Sequence, residues 1–327
     1  MILQTGTISK DFQRWYKSYI RYMNHQETKK NTFLVYERIL EDFGKFLKKS
    51  EDVKVIKDVK QDTILSFLEE LEERHLEKKK GNKRYSAKTK GLYVAILKSF
   101  FEHIGNKCDP DEHGVVYSFE REFKGLAPKK LNKKRKIKYL NDDEIMNIID
   151  YVNLSMEEGT HYDYIHSLAI KLMIFAGLRV TEMLNLLLKE VYTSNITNSK
   201  GEKDFYEIYL GETKSGEDQI SLIKKEYIEK EIAYFSSVAG EDDYIFKGLG
   251  AEQRIDRSNM YKMTRKVYEK AGIKRKGLHI LRHTAAVTLH RKTSNIVIVK
   301  ELLRHSSLDT TMIYVKVEQR DLANGLR

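Results

Sequence analysis

The chain has 327 residues, 41% hydrophobic and 33% charged, with a net charge of +11. It is long enough for two domains, each with its own core, and basic enough to expect a polyanionic partner, nucleic acid first. No run approaches the ~18 apolar residues of a membrane span, residues 1–5 lack the basic start and apolar run of a signal peptide, and the single Cys108 excludes an intramolecular disulfide and a cysteine-cluster metal site. The expectation is a cytoplasmic protein that does not associate with membranes.

Only two prolines, Pro110 and Pro128, interrupt the chain, so long helices are expected. Residues 9–25 place Phe12, Trp15, Tyr16, Tyr19 and Ile20 near an i, i+3, i+4, i+7 stripe, and residues 32–48 do the same with Tyr36, Ile39, Leu40, Phe43 and Leu47. Ile64, Leu65, Leu68 and Leu71 predict a shorter third helix. Ser86 reads as the N-cap of a fourth, with Leu92, Ala95, Ile96 and Phe100 turned inward and Gly105 stopping it. Residues 1–128 thus form a helical bundle. Lys78, Lys79, Lys80, Lys83, Arg84, Lys88 and Lys90 straddle a turn and the start of the fourth helix. Such a cluster suits phosphate oxygens through charge and free amides, or is a solvated loop.

Eight of the fifteen residues 124–138 are basic, and Gly125 and Pro128 break helix there. Like charges repel, so an extended linker is expected over 129–138. Two small domains joined by a basic strap suggest a clamp around a duplex.

In residues 139–327, Asn141 caps a helix whose first turn carries Asp142, Asp143 and Glu144. A long helix spans about 162–176 and ends at Gly177-Leu178. Arg179 then falls beside a sharp turn before Val180-Thr181-Glu182-Met183-Leu184. An arginine there is partly buried and needs a fixed anion, either Glu182 or a ligand. Strand signals follow at 191–196, 205–210 and 219–222, fitting a three-stranded antiparallel sheet with Lys214 in its second turn. Helices resume at Lys224. Ser258 reads as the cap of 259–271, and Gly277-Leu278 opens a helix on which His279 and Arg282 share a face. His283, four residues after His279, competes for the same role or packs beneath it. Last comes Leu302-Leu303-Arg304-His305-Ser306-Ser307-Leu308-Asp309-Thr310-Thr311-Met312-Ile313-Tyr314. This reads as a helix ending near Arg304, a polar turn, and a new helix presenting Tyr314. The fold class expected is mainly α with a small antiparallel sheet (α+β).

Each of these residues has a plainer reading alone: a packing tyrosine, a solvating lysine, a structural ion pair. Their order, Arg179, Lys214, His279-x-x-Arg282, His305 and Tyr314, is similar to the tyrosine recombinases, the integrase and Xer family. Ala176-Gly177-Leu178-Arg179-Val180-Thr181-Glu182 resembles the first motif of that family. Leu278-His279-Ile280-Leu281-Arg282-His283 and the His305-to-Tyr314 stretch resemble the second. Two departures stand out: Ile280 where an acid is common, and Arg304 where a glycine usually precedes the histidine, so that the loop is expected to differ.

The resemblance implies a SAM-like core-binding domain over 1–128, the linker, and a catalytic domain over 139–327. It implies a site-specific recombinase acting on double-stranded DNA without metal, ATP or other cofactor, as a homo-tetramer on two duplexes. Tyr314 would attack a phosphodiester and leave a 3′-phosphotyrosyl link. Arg179, Arg282 and His305 would hold the non-bridging oxygens, Lys214 would protonate the leaving 5′-oxygen, and Glu182 would orient Arg179 or Lys214. A phenol of pKa ~10 is about a thousandth ionised at neutral pH; nearby arginines are expected to lower that value and His279 to take the proton. The C-terminal segment 318–327, with Leu322, Ala323 and Leu326 on one face, is expected to dock on a neighbouring subunit. The same chemistry serves type IB topoisomerases, and a non-catalytic DNA-binding protein is the alternative of another class.

Overall fold

The computed structural model describes residues 8–78, 85–108, 118–126, 137–157, 159–197, 200–212, 218–274 and 277–314. The chain divides into two compact units, Met1–Lys134 and Arg135–Arg327, each with its own buried core.

The first unit packs α1 (Ile8–His25), α2 (Lys30–Leu47), α3 (Gln61–Lys78) and α4 (Ala87–Lys107), with 3-10 turns at Ile56–Asp58 and Glu120–Phe123. Phe12, Trp15, Tyr19, Ile39, Leu40, Phe43, Leu47, Ile64, Phe67, Ile96 and Phe100 are buried together. Phe43 sits among Phe12, Phe67 and Phe101 at ring-centroid distances of 6.2, 5.0 and 6.0 Å. Gly44 keeps that packing open, since a Cβ there would run into the Phe12 ring. The buried Asp11 carboxylate accepts from the Ile56 amide at 2.8 Å and ties the 3-10 turn to α1. Ser86 caps α4, accepting from the Thr89 amide at 3.1 Å.

Three sequence expectations need correction. The third helix is not shorter: α3 has 18 residues, as do α1 and α2. Its inner face is Ile64, Phe67 and Leu71, while Leu65 is 40% exposed; Leu92 of α4 is likewise 45% exposed. Gly105 lies inside α4, which runs on to Lys107. The packing of Phe101 and Ile104 beside it outweighs the roughly 1 kcal/mol helix penalty of a glycine. Lys90, one of the basic cluster, is ion-paired with Glu72 at 2.7 Å; Lys79, Lys80, Lys83 and Arg84 lie outside the described residues, as does the strap over 127–136.

The second unit is built round α6 (His161–Phe175), whose Ile165, Leu168, Ala169, Ile170, Leu172, Met173 and Ile174 are all buried. Around it pack α5 (Asp142–Ser155), α8 (Lys225–Val238), α9 (Arg257–Lys270) and α10 (His279–Thr293). Asn141 and Glu144 cap α5 reciprocally, at 2.7 and 3.0 Å. Inside the core Lys171 of α6 meets Glu231 of α8 at 2.6 Å, both buried, with the Ser167 hydroxyl donating to the same carboxylate oxygen. The short α7 (Val180–Leu184) leads to the antiparallel sheet β1 (Val191–Thr193), β2 (Phe205–Glu212) and β3 (Asp218–Lys224), in that order. Val191 faces Ile208 and Tyr206 faces Ile223. A register shift between Tyr209 and Glu212, with Gly211 at φ +88°, bends the end of the hairpin. After α10 come α11 (Ile296–Leu303) and 3-10 turns at Leu308–Thr310 and Met312–Tyr314. The structure is mainly helical with one small antiparallel sheet, the expected class. The cap of α9 is Asp256, not Ser258: its carboxylate accepts from the Asn259 amide at 2.8 Å and the helix starts at Arg257.

Candidate active site

The site forms where the turn after α6 meets the end of α11. Gly177 takes φ +60°, and a Cβ there would stand 3.3 Å from Leu302 Cγ and Leu303 Cδ2, so both backbone sign and space call for glycine. Ser221 of β3 donates to the Ala176 carbonyl at 2.9 Å and holds the turn to the sheet.

Three guanidinium groups converge on this turn. Arg179, the residue before α7, donates its amide to Glu182 Oε2 at 2.6 Å and its guanidinium to Glu182 Oε1. Arg282 of α10 donates to the carbonyls of Gly177 and Leu303 and lies 3.6 Å from Glu182 Oε2. Arg304 donates to Glu182 Oε2 at 2.8 Å, to the Leu302 carbonyl at 2.7 Å and to the Gly177 carbonyl at 3.3 Å. The side chains of Arg282 and Arg304 are each 6% exposed, against 37% for Arg179. Arg179 is therefore the most exposed of the three. One carboxylate faces three cations, an excess of two positive charges. Burial pushes the Glu182 carboxyl up, but the Arg304 charge and the Arg179 amide and guanidinium outweigh it and hold it below its ordinary range. Burial, then Arg179, lowers Arg282 to about 10, which leaves it charged at neutral pH.

Arg304 explains the missing glycine. It stands at φ +49° just past α11, with its amide donating to Glu301 O at 3.0 Å and the His305 amide donating to Lys300 O at 3.2 Å. That double closure is a Schellman motif, whose left-handed position normally takes glycine. The turn is left-handed at Arg304, and the Arg304 side chain offsets the strain through its ion pair with Glu182.

His305 Nδ1 lies 2.9 Å from the Thr311 hydroxyl, and Thr311 is fully buried. Burial, then the charges of Arg282, Arg179 and Arg304, hold His305 down at about 4, so the ring is neutral and has its other nitrogen for a ligand. Tyr314 is 7% exposed, its ring packed with Ala286, Val299 and Leu303. Its hydroxyl is 2.6 Å from Nδ1 of His283, not of His279. Burial raises the Tyr314 pKa and Arg282 only partly opposes it. The expectation that arginines lower it is thus corrected: the field is there, but desolvation of the phenolate is the larger effect.

His279 lines a cleft of about 1330 Å³ with Lys138, Arg257, Lys262, Arg265 and His283. Partial burial of its ring, then Arg257 and Arg282, keep its pKa below the ordinary value. The fold brings Arg179, Arg282, His305 and Tyr314 to one place and His279 to its rim. Lys214, in the β2–β3 turn, lies outside the described residues, as does the segment 318–327. No cluster of candidate metal ligands occurs among the described residues.

Residues 138–320 match the phage integrase family, and residues 16–107 match the phage integrase N-terminal SAM-like domain. The chain belongs to the phage integrase family. It is a tyrosine recombinase, an enzyme that breaks and rejoins DNA at specific sites. Among curated integrase-family proteins it is 29% identical over 317 residues to a tyrosine recombinase of Pseudothermotoga lettingae, covering 89% of this chain and 98% of that one. It is 27% identical to tyrosine recombinase XerH of Helicobacter pylori, over 72% of this chain and 64% of that protein. Among solved structures, XerH bound to its difH substrate in a pre-cleavage complex superposes with a TM-score of 0.74 at 18% identity, covering 99% of this chain and 97% of that one. The Tn1549 transposon integrase in complex with transposon right-end DNA gives 0.66 at 15%, over 97% and 98%. In this integrase-family site two side chains went unassigned from sequence. His283 carried a signal, its i+4 spacing from His279. Arg304 carried one too, a residue able to ion-pair where backbone freedom alone was expected.

Proposed function

We propose that Tyr314 is the nucleophile of this recombinase and that Arg179, Arg282 and His305 hold the phosphate it attacks. The observation that carries the reading is the convergence of three arginines, one carboxylate, His305 and Tyr314 on the Gly177 turn. A phosphodiester carries one negative charge and its pentacoordinate transition state two. The local excess of two positive charges therefore matches the transition state better than the ground state. Tyr314 Oη forms a bond to phosphorus, the bond to the 5′-oxygen breaks, and Lys214 protonates that oxygen. The 3′-phosphotyrosyl link conserves the bond energy, so the ends rejoin without ATP, cofactor or metal. His279 stands at the rim as a further donor to the phosphate.

We assign residues 1–128 to a core-binding domain that grips the duplex, 129–138 to a basic linker and 139–327 to catalysis. Exchanging strands between two duplexes takes four cleavages, so four protomers, each with one Tyr314, assemble on two recombination sites and pass through a Holliday junction. The segment 318–327 is assigned to the contact between neighbours. The net charge of +11 keeps free protomers apart until DNA neutralises it, and the expected compartment is the cytoplasm.

The test is a library of nicked suicide duplexes with a randomised core, from which wild type is expected to trap covalent adducts that survive detergent. Tyr314→Phe is expected to bind the same duplexes and trap none. Adduct formed by Tyr314→Phe would move the nucleophile to another tyrosine. Arg179→Ala and Arg282→Ala are expected to slow trapping by about 10²-fold or more, with poor rescue by Lys.

A further inference from the structure

Helix α10 sends three polar side chains toward the tyrosine turn, and they part ways. His279 goes to the rim of the cleft. Arg282 turns inward to the carbonyls of Gly177 and Leu303. His283 alone reaches the phenol, with Nδ1 2.6 Å from Tyr314 Oη and the rings 5.7 Å apart at 53°. The Tyr314 ring is clasped by Ala286 of α10 and by Val299 and Leu303 of α11, so its hydroxyl end is what remains to be met by a polar group. The rings of His279 and His283 are 6.5 Å apart, and it is the His283 ring that stands at hydrogen-bond distance from the phenol.

We propose that His283 is a catalytic residue, the base that takes the proton from Tyr314 as the phenolic oxygen attacks. This rests on the assignment of Tyr314 as nucleophile above. The Tyr314 O–H bond breaks and its proton goes to His283 Nδ1 while the O–P bond forms. The P–O5′ bond breaks, and its electron pair leaves on the 5′-oxygen, which takes a proton from Lys214. In the rejoining step the imidazolium returns the proton to the tyrosyl oxygen as phosphorus leaves it. An imidazole protonated on Nε2 presents the acceptor this requires. The groups facing His283 are His279 and Arg282 of α10, Tyr314 and His305, and across the cleft Lys138, Arg257, Lys262 and Arg265. Burial, then His279 and Arg282, lower its pKa and keep it neutral and ready to accept. A free phenol holds its proton about a thousandfold more tightly than an imidazole. Transfer therefore proceeds in concert with O–P bond formation, as the phenolic oxygen loses basicity.

The experiment uses the full chain and the duplex enriched from the suicide library. An asparagine at 283 sets an amide oxygen near where Nδ1 stands, so His283→Asn retains the hydrogen bond to the phenol but cannot take its proton. It is expected to bind the duplex as wild type does and to form adduct about 10²–10⁴-fold more slowly. Replacing Tyr314 by difluorotyrosine, whose phenol ionises more readily, is expected to recover much of that loss, which a merely positioning role would not permit. A duplex with sulfur in place of the 5′-bridging oxygen needs no acid, and His283→Asn is expected to remain slow on it. In wild type, the fall in rate at low pH is expected to follow the titration of the His283 ring read by NMR, a measurement independent of whether any variant folds. Adduct formed by His283→Asn at the wild-type rate overturns the inference, as does recovery on the sulfur-bridged duplex or an acid limb that does not follow His283. If His279→Asn carries the defect instead, the base is His279. If wild type traps no DNA, or Tyr314→Phe still traps it, the nucleophile assignment fails and this inference with it.

Discussion

Arg304 holds a left-handed backbone that disfavours any side chain, and it is retained by what its guanidinium does for Glu182. Arg304→Gly relieves roughly 1 kcal/mol of backbone strain and removes a charge-assisted bond worth about 1.5–3 kcal/mol. We expect the melting temperature to change little while covalent trapping slows by about tenfold, because Glu182 then holds Arg179 and Arg282 less firmly; equal losses in stability and trapping would make the residue purely structural. His305 gives a pH prediction at the same scale. Its pKa falls from 6.5 to about 4 on folding, so between those values the unfolded chain binds a proton that the folded chain refuses. Stability is therefore full above pH 6.5 and lost as pH falls toward 4. The lowered histidines His279 and His283 act in the same direction. Thermal melts at pH 7 and pH 5 are expected to differ less for His305→Gln than for wild type. The sequence made it legible that Arg179, Arg282, His305 and Tyr314 belong together, and the fold brings them to one place. It did not make legible which of two histidines on one helix face meets Tyr314, because that depends on how far the tyrosine turn reaches across α10.

At the scale of elements, 3.6-residue periodicity marked the helices well, and alternation marked the sheet. What it could not decide was which of two capping residues is used. Asp256 and Ser258 are two residues apart and either can start a helix. The choice is made outside the segment: the Ile255 amide donates to the Phe246 carbonyl at 2.7 Å, holding the chain extended up to Asp256 and letting α9 begin directly after. Asp256→Ala is expected to cost about 1 kcal/mol in urea denaturation and Ser258→Ala close to nothing; the reverse order would return the cap to Ser258. Leu65 and Leu92 look inward by pattern for a similar reason. A stripe of leucines is wider than the face a bundle buries, and only the aromatic neighbours Phe67 and Phe100, both fully buried, fix which edge faces in.

For the whole molecule, the uneven charge bears on DNA. Neutralising Lys133, Lys134, Arg135 and Lys136 is expected to weaken binding to all duplexes alike. It should flatten the dependence of log affinity on log salt by up to roughly 0.9 for each phosphate the linker ceases to neutralise. An unchanged slope would place the linker in solvent. Deleting the residues after Lys316 is expected to leave a single half-site occupied but to abolish joining of two sites. The division into two compact units was legible in composition, since the basic run at 124–138 separates stretches with their own apolar patterns. The ion pair of Lys171 with Glu231 was not, because two charges 60 residues apart in sequence look like surface until α6 is seen to be enclosed.

The shielding of Tyr314 has a consequence for chemical labelling. The chain has twenty tyrosines, and reagents such as tetranitromethane react with accessible phenolate. Tyr22, Tyr162 and Tyr192 are 44%, 50% and 41% exposed, against 7% for Tyr314, whose ionisation is also suppressed by burial. Nitration should therefore mark the outer tyrosines first and spare Tyr314 in the DNA-free protein. A partly nitrated preparation should still join DNA, and the moment at which Tyr314 becomes reactive would report when a bound duplex opens the clasp of α10 and α11 around it.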